Sequence, residues 1–305
     1  MTSGERSNAA LSVVIPVFNE SDGIAPTIES VKSVLSDMET DTEIIVVDDG
    51  STDGTGKVLE GIPGIRVISV PENRGVGAAR NTGILAAKYD RIAMLDGDGT
   101  YPAEPIPEFA SLLDSYHMVV GARTGKRVAR NILRAIPKWF ILKLACYISG
   151  KSIPDLNSGL RAFRKSSVIP FFPILPQGHS WVSTITLAML SNGLPVKYIP
   201  IDYYKRIGKS TFHPFIDTYN YILLIIKTIM YFNPLKVFFP SGIILLLLGI
   251  IRLLYNNFRY NDIKESDVIL IIASILILFQ GLLADLVVAR TKFNGIAEQQ
   301  GKSCQ

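Results

Sequence analysis

Two clusters of carboxylates stand at the ends of apolar runs in the first part of the chain. Asp48-Asp49-Gly50-Ser51-Thr52-Asp53-Gly54-Thr55 follows Ile44-Ile45-Val46-Val47, and Asp96-Gly97-Asp98-Gly99 follows Ile92-Ala93-Met94-Leu95. Two carboxylates one residue apart at a strand end can both face a hard cation. Mg²⁺ or Mn²⁺ held by few protein oxygens completes its shell with water and substrate phosphates. Such an ion would neutralise the charge developing on a nucleotide diphosphate as it leaves. A plain turn is the competing explanation for aspartates beside glycines. In the first cluster a carboxylate after a buried strand can accept hydrogen bonds from a base or ribose, and Ser51 or Asp53 can cap the next helix. A strand-to-helix turn with such a cap accounts for Asp53. It leaves the adjacent pair Asp48-Asp49 unexplained.

Alternating strands and helices must position these groups. Leu11 to Phe18 is a short apolar run rich in β-branched residues and predicts a buried strand. Runs at 43–49, 66–70, 91–95 and 118–122 predict four more. Between them, Ile24, Ile28, Val31, Val34 and Leu35 recur at helical spacing from a start near Asn19-Glu20-Ser21, and 53–59 and 74–88 read as helices. Alternation of this kind implies a doubly wound, mainly parallel sheet. Functional groups in such sheets gather outside the carboxyl ends of the strands. Asn19-Glu20, Asp48-Asp49 and Asp96/Asp98 all follow strand ends, so the three signatures converge on one edge.

Composition adds a second theme. The chain has 305 residues and a net charge of +4, and its mean hydropathy of +0.29 is high for a purely soluble protein. Most of the apolar excess lies after residue 215. Spans at about 237–255 and 268–289 are about 29–33 Å long as helices, enough to cross a hydrocarbon core of about 30 Å. They predict a transmembrane hairpin joined by the short link Asn256–Asp267. Lys227, Lys236, Arg290, Lys292 and Lys302 flank its ends, against Arg259 and Lys264 in the link, which favours a cytoplasmic placement of the ends; Arg252 inside the first span counts against this bias. Stretches 130–149 and 213–234 mix cationic, aromatic and apolar residues and predict helices in a membrane interface, with packing on a soluble core as the alternative. No aromatic–basic interleaving points to nucleic acid. The two cysteines, Cys146 and Cys304, offer no disulfide framework or CxxC metal pattern. The polar N-terminus, residues 1–10, predicts a loose tail with no signal-peptide core, leaving the globular part in the cytoplasm.

These residues together resemble glycosyltransferase family 2. The resemblance rests on Val14-Ile-Pro-Val-Phe-Asn-Glu20, Val46 to Thr55, Asn73-Arg74-Gly75 with Ala79-Arg80-Asn81-Thr82-Gly83, and Asp96-Gly97-Asp98, and it covers about residues 11–210. Asp155-Leu-Asn-Ser-Gly-Leu-Arg-Ala-Phe-Arg and Tyr204-Lys-Arg-Ile-Gly-Lys-Ser resemble segments of the polyprenyl-phosphate glycosyltransferases, among them dolichol-phosphate mannose synthases and undecaprenyl-phosphate glucosyltransferases. The resemblance implies an α/β GT-A fold over 11–212, with interfacial amphipathic helices, two transmembrane helices within 235–290, and a cytoplasmic tail, 291–305. It implies that Pro16, Phe18, Glu20, Val47 and Asp49 line the base and ribose pocket, with Asp96 and Gly97 at ribose and phosphate. Asp98 would be the principal ligand of Mg²⁺ or Mn²⁺, with Asp96 nearby. Thr100 stands where dolichol-phosphate mannose synthases often carry a glutamine that helps the metal.

The implied acceptor is a polyprenyl phosphate, whose oxygens are already anionic, so positioning matters more than a strong base. Guanidinium forks suit phosphate. Arg123, Arg134 and Arg206 match family arginines; Lys138 lies one turn beyond Arg134, and Lys209 stands in for a lysine that the family places after a serine. Asp155 matches an aspartate near the reaction centre, where it would orient the acceptor or act as base; it could equally cap the turn at Asn157-Ser158-Gly159. His179 and Trp181 fall on an active-site loop of the family, with no role assigned to His179. The reading is a membrane-anchored, metal-dependent, inverting hexosyltransferase moving a sugar from UDP or GDP to dolichyl or undecaprenyl phosphate. Asp98, Asp155, Arg123 and Arg206 carry the reaction, and self-association is compatible with the spans. The alternatives are another lipid or polysaccharide acceptor, or a catalytically silent GT-A scaffold.

Overall fold

The computed structural model describes residues 10–124, 142–143, 146–147, 150–206, 230 and 234–303. The tail 1–9, most of both expected interfacial helices, and Arg134, Lys138 and Lys209 lie outside the described residues. Contacts divide the chain into two units, Met1–Leu224 and Ile225–Gln305.

The first unit is built on a seven-stranded sheet in the order β3-β2-β1-β4-β6-β5-β7. The strands are β1 (Leu11–Val17), β2 (Thr42–Asp48), β3 (Arg66–Ser69), β4 (Arg91–Met94), β5 (Met118–Ala122), β6 (Arg161–Arg164) and β7 (Val196–Pro200). β1 pairs in parallel with β2 and β4, β2 with β3, and β5 with β7. Only β6 among these runs antiparallel, between β4 and β5. Every residue of β1 is buried, because helices cover both faces of the sheet. Val13, Ile15 and Val17 face one core with Ile24, Ile28 and Phe109. Val14, Ile45 and Val47 face the other with Ile84, Trp181 and Ile185.

The expected strands are present, and two short ones, β6 and β7, join them. The helix expected to start near Asn19 spans Ile24–Ser36. The missing turn is used elsewhere: Asn19 takes a positive φ of 55°, which an asparagine tolerates. Its side chain accepts the Thr52 N–H at 2.8 Å, and the Glu20 N–H binds Thr55 Oγ1 at 2.9 Å. The turns after β1 and β2 are thereby stitched together. The expected helices near 53–59 and 74–88 span Thr55–Glu60 and Val76–Ala86.

The second unit is a hairpin of two apolar helices, Leu235–Tyr260 and Glu265–Ser303. Both are long and apolar enough to cross a membrane, over Leu235–Tyr260 and Glu265–Ala289. A Cβ at Gly242 would meet Leu278 at 2.7 Å, and one at Gly281 would meet Phe238 at 2.6 Å, so small residues let the backbones approach. Arg252, the charge inside the first expected span, binds Asp267 Oδ1 at 3.2 Å across the hairpin. Asp267 is fully buried and also accepts Asn256 Nδ2 at 2.6 Å.

Candidate active site

The carboxyl ends of β1, β2 and β4 open onto a cavity of about 350 Å³. Seven expected donor-site residues line it: Pro16, Phe18, Glu20, Asp49, Asp96, Gly97 and Asp98. Arg206 and His179 join them, as do Asn73, Gly75, Val76, Ala79 and Arg80. Val47 does not: it is fully buried and lies in the sheet–helix core with Val14 and Ile84. The end of the strand decides this: β2 stops at Asp48, so Val47 is still packed in the sheet while Asp49 has left it.

Backbone N–H groups fix Asp49. Its Oδ1 accepts Arg74 N–H at 3.1 Å and its Oδ2 accepts Gly75 N–H at 2.7 Å. Each carboxyl oxygen has room for a further donor, so a base or ribose can still reach the group. Asp48 instead closes its own turn through Ser51 N–H at 3.0 Å. Asp53 accepts Thr55 N–H at 3.0 Å and Ser21 N–H at 3.1 Å, but the N-cap position of the following helix is Gly54, so Asp53 closes the turn before the helix and is not its cap.

At the other end of the cavity three carboxylates gather. Asp96 Oδ1 pairs with Arg80 Nη2 at 2.8 Å. Asp98 Oδ1 accepts Thr100 Oγ1 at 2.6 Å and Thr100 N–H at 3.1 Å, so Thr100 orients Asp98. Arg206 bridges Glu20 and Asp98, with Nη1 3.5 Å from Asp98 Oδ2. Burial pushes the Glu20 carboxyl up to about 7; Arg206 opposes this, while Asp98 and Asp96 add to it. Burial, followed by the charge of Asp96, also raises Asp98. Carboxylates driven toward neutrality by burial and mutual repulsion are held ionised by a cation. Arg206 supplies one here without cancelling the rise, and hard oxygen donors suit Mg²⁺ or Mn²⁺ equally well. Among the described residues no three His, Cys, Asp or Glu side chains form a complete metal cage. Two aspartates fit an ion whose remaining ligands are water and diphosphate oxygens.

Arg123 and Asp155 form a separate clamp. Arg123 Nε and Nη2 bind Asp155 Oδ2 and Oδ1 at 2.7 and 2.9 Å, and the Arg123 N–H adds a third bond at 3.0 Å. Asp155 also accepts Asn157 N–H at 3.0 Å, the turn cap left open above. Burial alone would raise the Asp155 carboxyl; the bonds and charge of Arg123 outweigh it and hold the group below its ordinary value. A carboxylate so stabilised is a poor proton acceptor. Neither residue lines the cavity. They support it from behind: Asp155 begins the turn whose Gly159 lies against Asp96, and Gly159 N–H binds Tyr101 Oη at 2.7 Å. Tyr101 meets Tyr203 edge-on at 5.2 Å, and the Arg123 guanidinium lies 5.2 Å from the Tyr203 ring.

Sequence reasoning left Arg80 and Trp181 without roles. Trp181 is fully buried, donates Nε1–H to Asn81 Oδ1 at 2.8 Å, and lies 5.8 Å from the Arg80 guanidinium. The Gln177 carbonyl accepts Gly77 N–H at 2.6 Å and Ala78 N–H at 3.3 Å. A Cβ at Gly75 would meet that carbonyl at 2.5 Å, so the close approach requires glycine. The loop carrying His179 is thus fastened to the helix carrying Arg80. The advance signals were the run Ala79-Arg80-Asn81 and the loop position of Trp181, and neither says that the two meet across a hundred residues.

Comparison with known proteins agrees with this geometry. The family model for Glycosyl transferase family 2 matches residues 12–170, and that for the GtrB C-terminal hairpin matches 233–289. Dodecaprenyl-phosphate galacturonate synthase of Rhizobium johnstonii is 28% identical over 93% of this chain and 88% of its own length. Dolichyl-phosphate hexose transferase of Haloferax volcanii is 32% identical over 67% of this chain and 87% of its own. Undecaprenyl-phosphate 4-deoxy-4-formamido-L-arabinose transferase of Edwardsiella ictaluri is 34% identical, but the match spans 52% of this chain and half (50%) of that relative. Among solved structures, glucosyl-3-phosphoglycerate synthase from Mycobacterium tuberculosis, crystallised with Mn²⁺, UDP-glucose and phosphoglyceric acid, superposes with a TM-score of 0.56 at 21% identity, over 75% of this chain and 84% of that one. That likeness confirms the GT-A fold. With a family model matched across more than half of its length, the chain belongs to glycosyltransferase family 2.

Proposed function

We propose that this glycosyltransferase is a membrane-anchored enzyme that transfers a hexose from a UDP- or GDP-sugar to a polyprenyl phosphate at the cytoplasmic face. The cavity at the strand ends carries the reading, because it brings Pro16, Phe18 and Asp49 together with Asp96, Asp98 and Arg206. The names of the relatives, which act on dodecaprenyl, dolichyl and undecaprenyl phosphates, support the acceptor class. The apolar hairpin supports delivery of that acceptor from a bilayer.

Pro16, Phe18 and Asp49 hold the nucleoside, and Glu20, Asp96 and Gly97 hold ribose and phosphate. Asp98, with Asp96, would hold Mg²⁺ or Mn²⁺. Bound there, the ion neutralises charge on the departing diphosphate. An acceptor phosphate oxygen attacks the anomeric carbon as the bond to the nucleotide diphosphate breaks, with inversion. Arg206 faces the cavity and is the cation best placed to orient that phosphate; Arg134, Lys138 and Lys209 are proposed to assist it. Arg123 contributes through a guanidinium held by Asp155, and Asp155 acts as its clamp. No separate base is required, since the nucleophile is already anionic.

The test is a panel of radiolabelled UDP- and GDP-sugars offered with dolichyl or undecaprenyl phosphate and Mg²⁺ or Mn²⁺. One donor should be transferred, and Asp98→Ala should abolish the transfer. An unchanged rate in Asp98→Ala would refute the metal assignment. Failure with every donor and both lipids would refute the function.

A further inference from the structure

Arg80 is a buried guanidinium for which the proposed mechanism has no use. It lines the cavity beside Asp96, and its side chain is only 4% exposed. Nη2 binds Asp96, but Nε and Nη1 are buried without a hydrogen-bond partner among the described residues. Buried charged donors left unbonded are costly, and native structures rarely keep them without a reason.

Its surroundings point to the reason. Arg161 is fully buried and bonds only neutral groups: Val182 O at 3.0 Å, Thr186 Oγ1 at 3.1 Å, Ser158 O at 2.5 Å and Met118 Sδ at 3.7 Å. Burial, and then the neighbouring charge of Arg80, lower Arg161 to about 10. The two guanidiniums repel each other, and among the described residues only Arg80 has a carboxylate partner. An arriving anion relieves both the repulsion and the unbonded donors. Much of the nearby backbone is already used: the N–H groups of Arg74 and Gly75 are given to Asp49, and those of Gly77 and Ala78 to the Gln177 carbonyl.

We propose that Arg80 is a substrate-binding residue of the donor site, whose unbonded N–H groups take an oxyanion lying beyond the nucleoside. This rests on the nucleotide-sugar reading above. The oxyanion belongs either to the diphosphate or to a carboxylate on the sugar, and the two sources are separable.

The full-length enzyme in detergent is titrated calorimetrically, with Mn²⁺ present, against UMP, UDP, UDP-glucose and UDP-galacturonate, and against GMP, GDP and GDP-mannose. Loss of charge-assisted hydrogen bonds predicts that Arg80→Gln weakens nucleoside diphosphate binding by about tenfold to a hundredfold. The corresponding monophosphate should stay within about twofold. A loss confined to UDP-galacturonate supports the proposal and assigns the sugar carboxylate. Arg80→Lys, which keeps charge and bulk, carries the same test if the glutamine variant does not fold, and should show a smaller loss with the same selectivity. Mn²⁺ affinity without nucleotide, read by electron paramagnetic resonance, should stay within about twofold. Unchanged affinity for every ligand, equal losses for mono- and diphosphate, or a loss of Mn²⁺ affinity that accounts for the effect would overturn the proposal. A wild-type protein that binds no nucleotide refutes the donor reading itself, a different result from a variant that binds like wild type.

Discussion

Replacing Asp155 separates a structural clamp from a catalytic base. Asp155 is 6% exposed and takes four hydrogen bonds, three of them from Arg123. Asp155→Ala would strand the Arg123 guanidinium in a buried site. Breaking a buried pair from one side costs about 3–5 kcal/mol. For a unit of about 150–250 residues each kcal/mol moves Tm by about 2–4 °C, so the expected fall is roughly 6–20 °C, read by calorimetry or tryptophan fluorescence in detergent. The double variant Arg123→Met/Asp155→Leu removes both charges and should recover most of that loss. The pH dependence has a definite sign. Asp155 has a folded-state pKa below its unfolded one. Its contribution is therefore full above the ordinary carboxylate pKa of about 3.9 and is lost as pH falls through the lower folded value. The stability difference between wild type and Asp155→Ala should be flat from about pH 8 to 5 and shrink below about pH 4. An Asp155→Ala variant with unchanged Tm, whose kcat collapses and whose pH–rate profile loses its acidic limb, would refute the clamp and restore the base.

Gly159→Ala places a methyl 2.9 Å from Asp96 Cγ and 3.0 Å from Tyr101 Cε2. Asp96 must move, and since misplacement by about 1 Å can cost about a hundredfold, kcat should fall at least about tenfold in the radiolabel transfer assay. Trp181→Phe deletes the bond to Asn81 Oδ1; the stranded amide oxygen should cost about 1–3 kcal/mol in chemical denaturation. Asp267→Leu removes the carboxylate partner of Arg252 in the last third of the first long helix. The cost should stay below that of a cation at a helix centre in a bilayer, about 2.5–3.5 kcal/mol, so membrane-fraction yield should fall modestly and return in Arg252→Leu/Asp267→Leu.

The donor half of the site was legible because its residues follow apolar runs. Once Leu11–Val17, Thr42–Asp48 and Arg91–Met94 are strands of one parallel sheet, their trailing acidic residues must meet at its edge. β6 was not legible: Arg161-Ala-Phe-Arg is four residues long with an arginine at each end, and Arg161 is buried only because Ser158, Val182 and Thr186 supply acceptors. β7 lies at the sheet edge, half-buried and closed by Pro200, and lacks the apolar continuity of the inner strands. The choice between base, orienter and cap at Asp155 could not be made from its neighbours in sequence. Arg123, thirty-two positions earlier, pairs with it and Asn157 N–H binds it, contacts that support our reading of a clamp.

The sequence by itself determined the local and periodic features: five of the seven strands, the carboxylates that follow three of them, and two apolar helices long enough to span a bilayer. These are written in neighbouring residues, where burial and spacing act directly on the chain. Only the tertiary structure decided which cation meets which carboxylate. Arg206 reaches Glu20 and Asp98, Arg123 reaches Asp155, and Arg80 reaches Asp96 while keeping two donors unbonded. Long cationic side chains select partners through burial and geometry at points the fold brings together, and no residue spacing encodes those points.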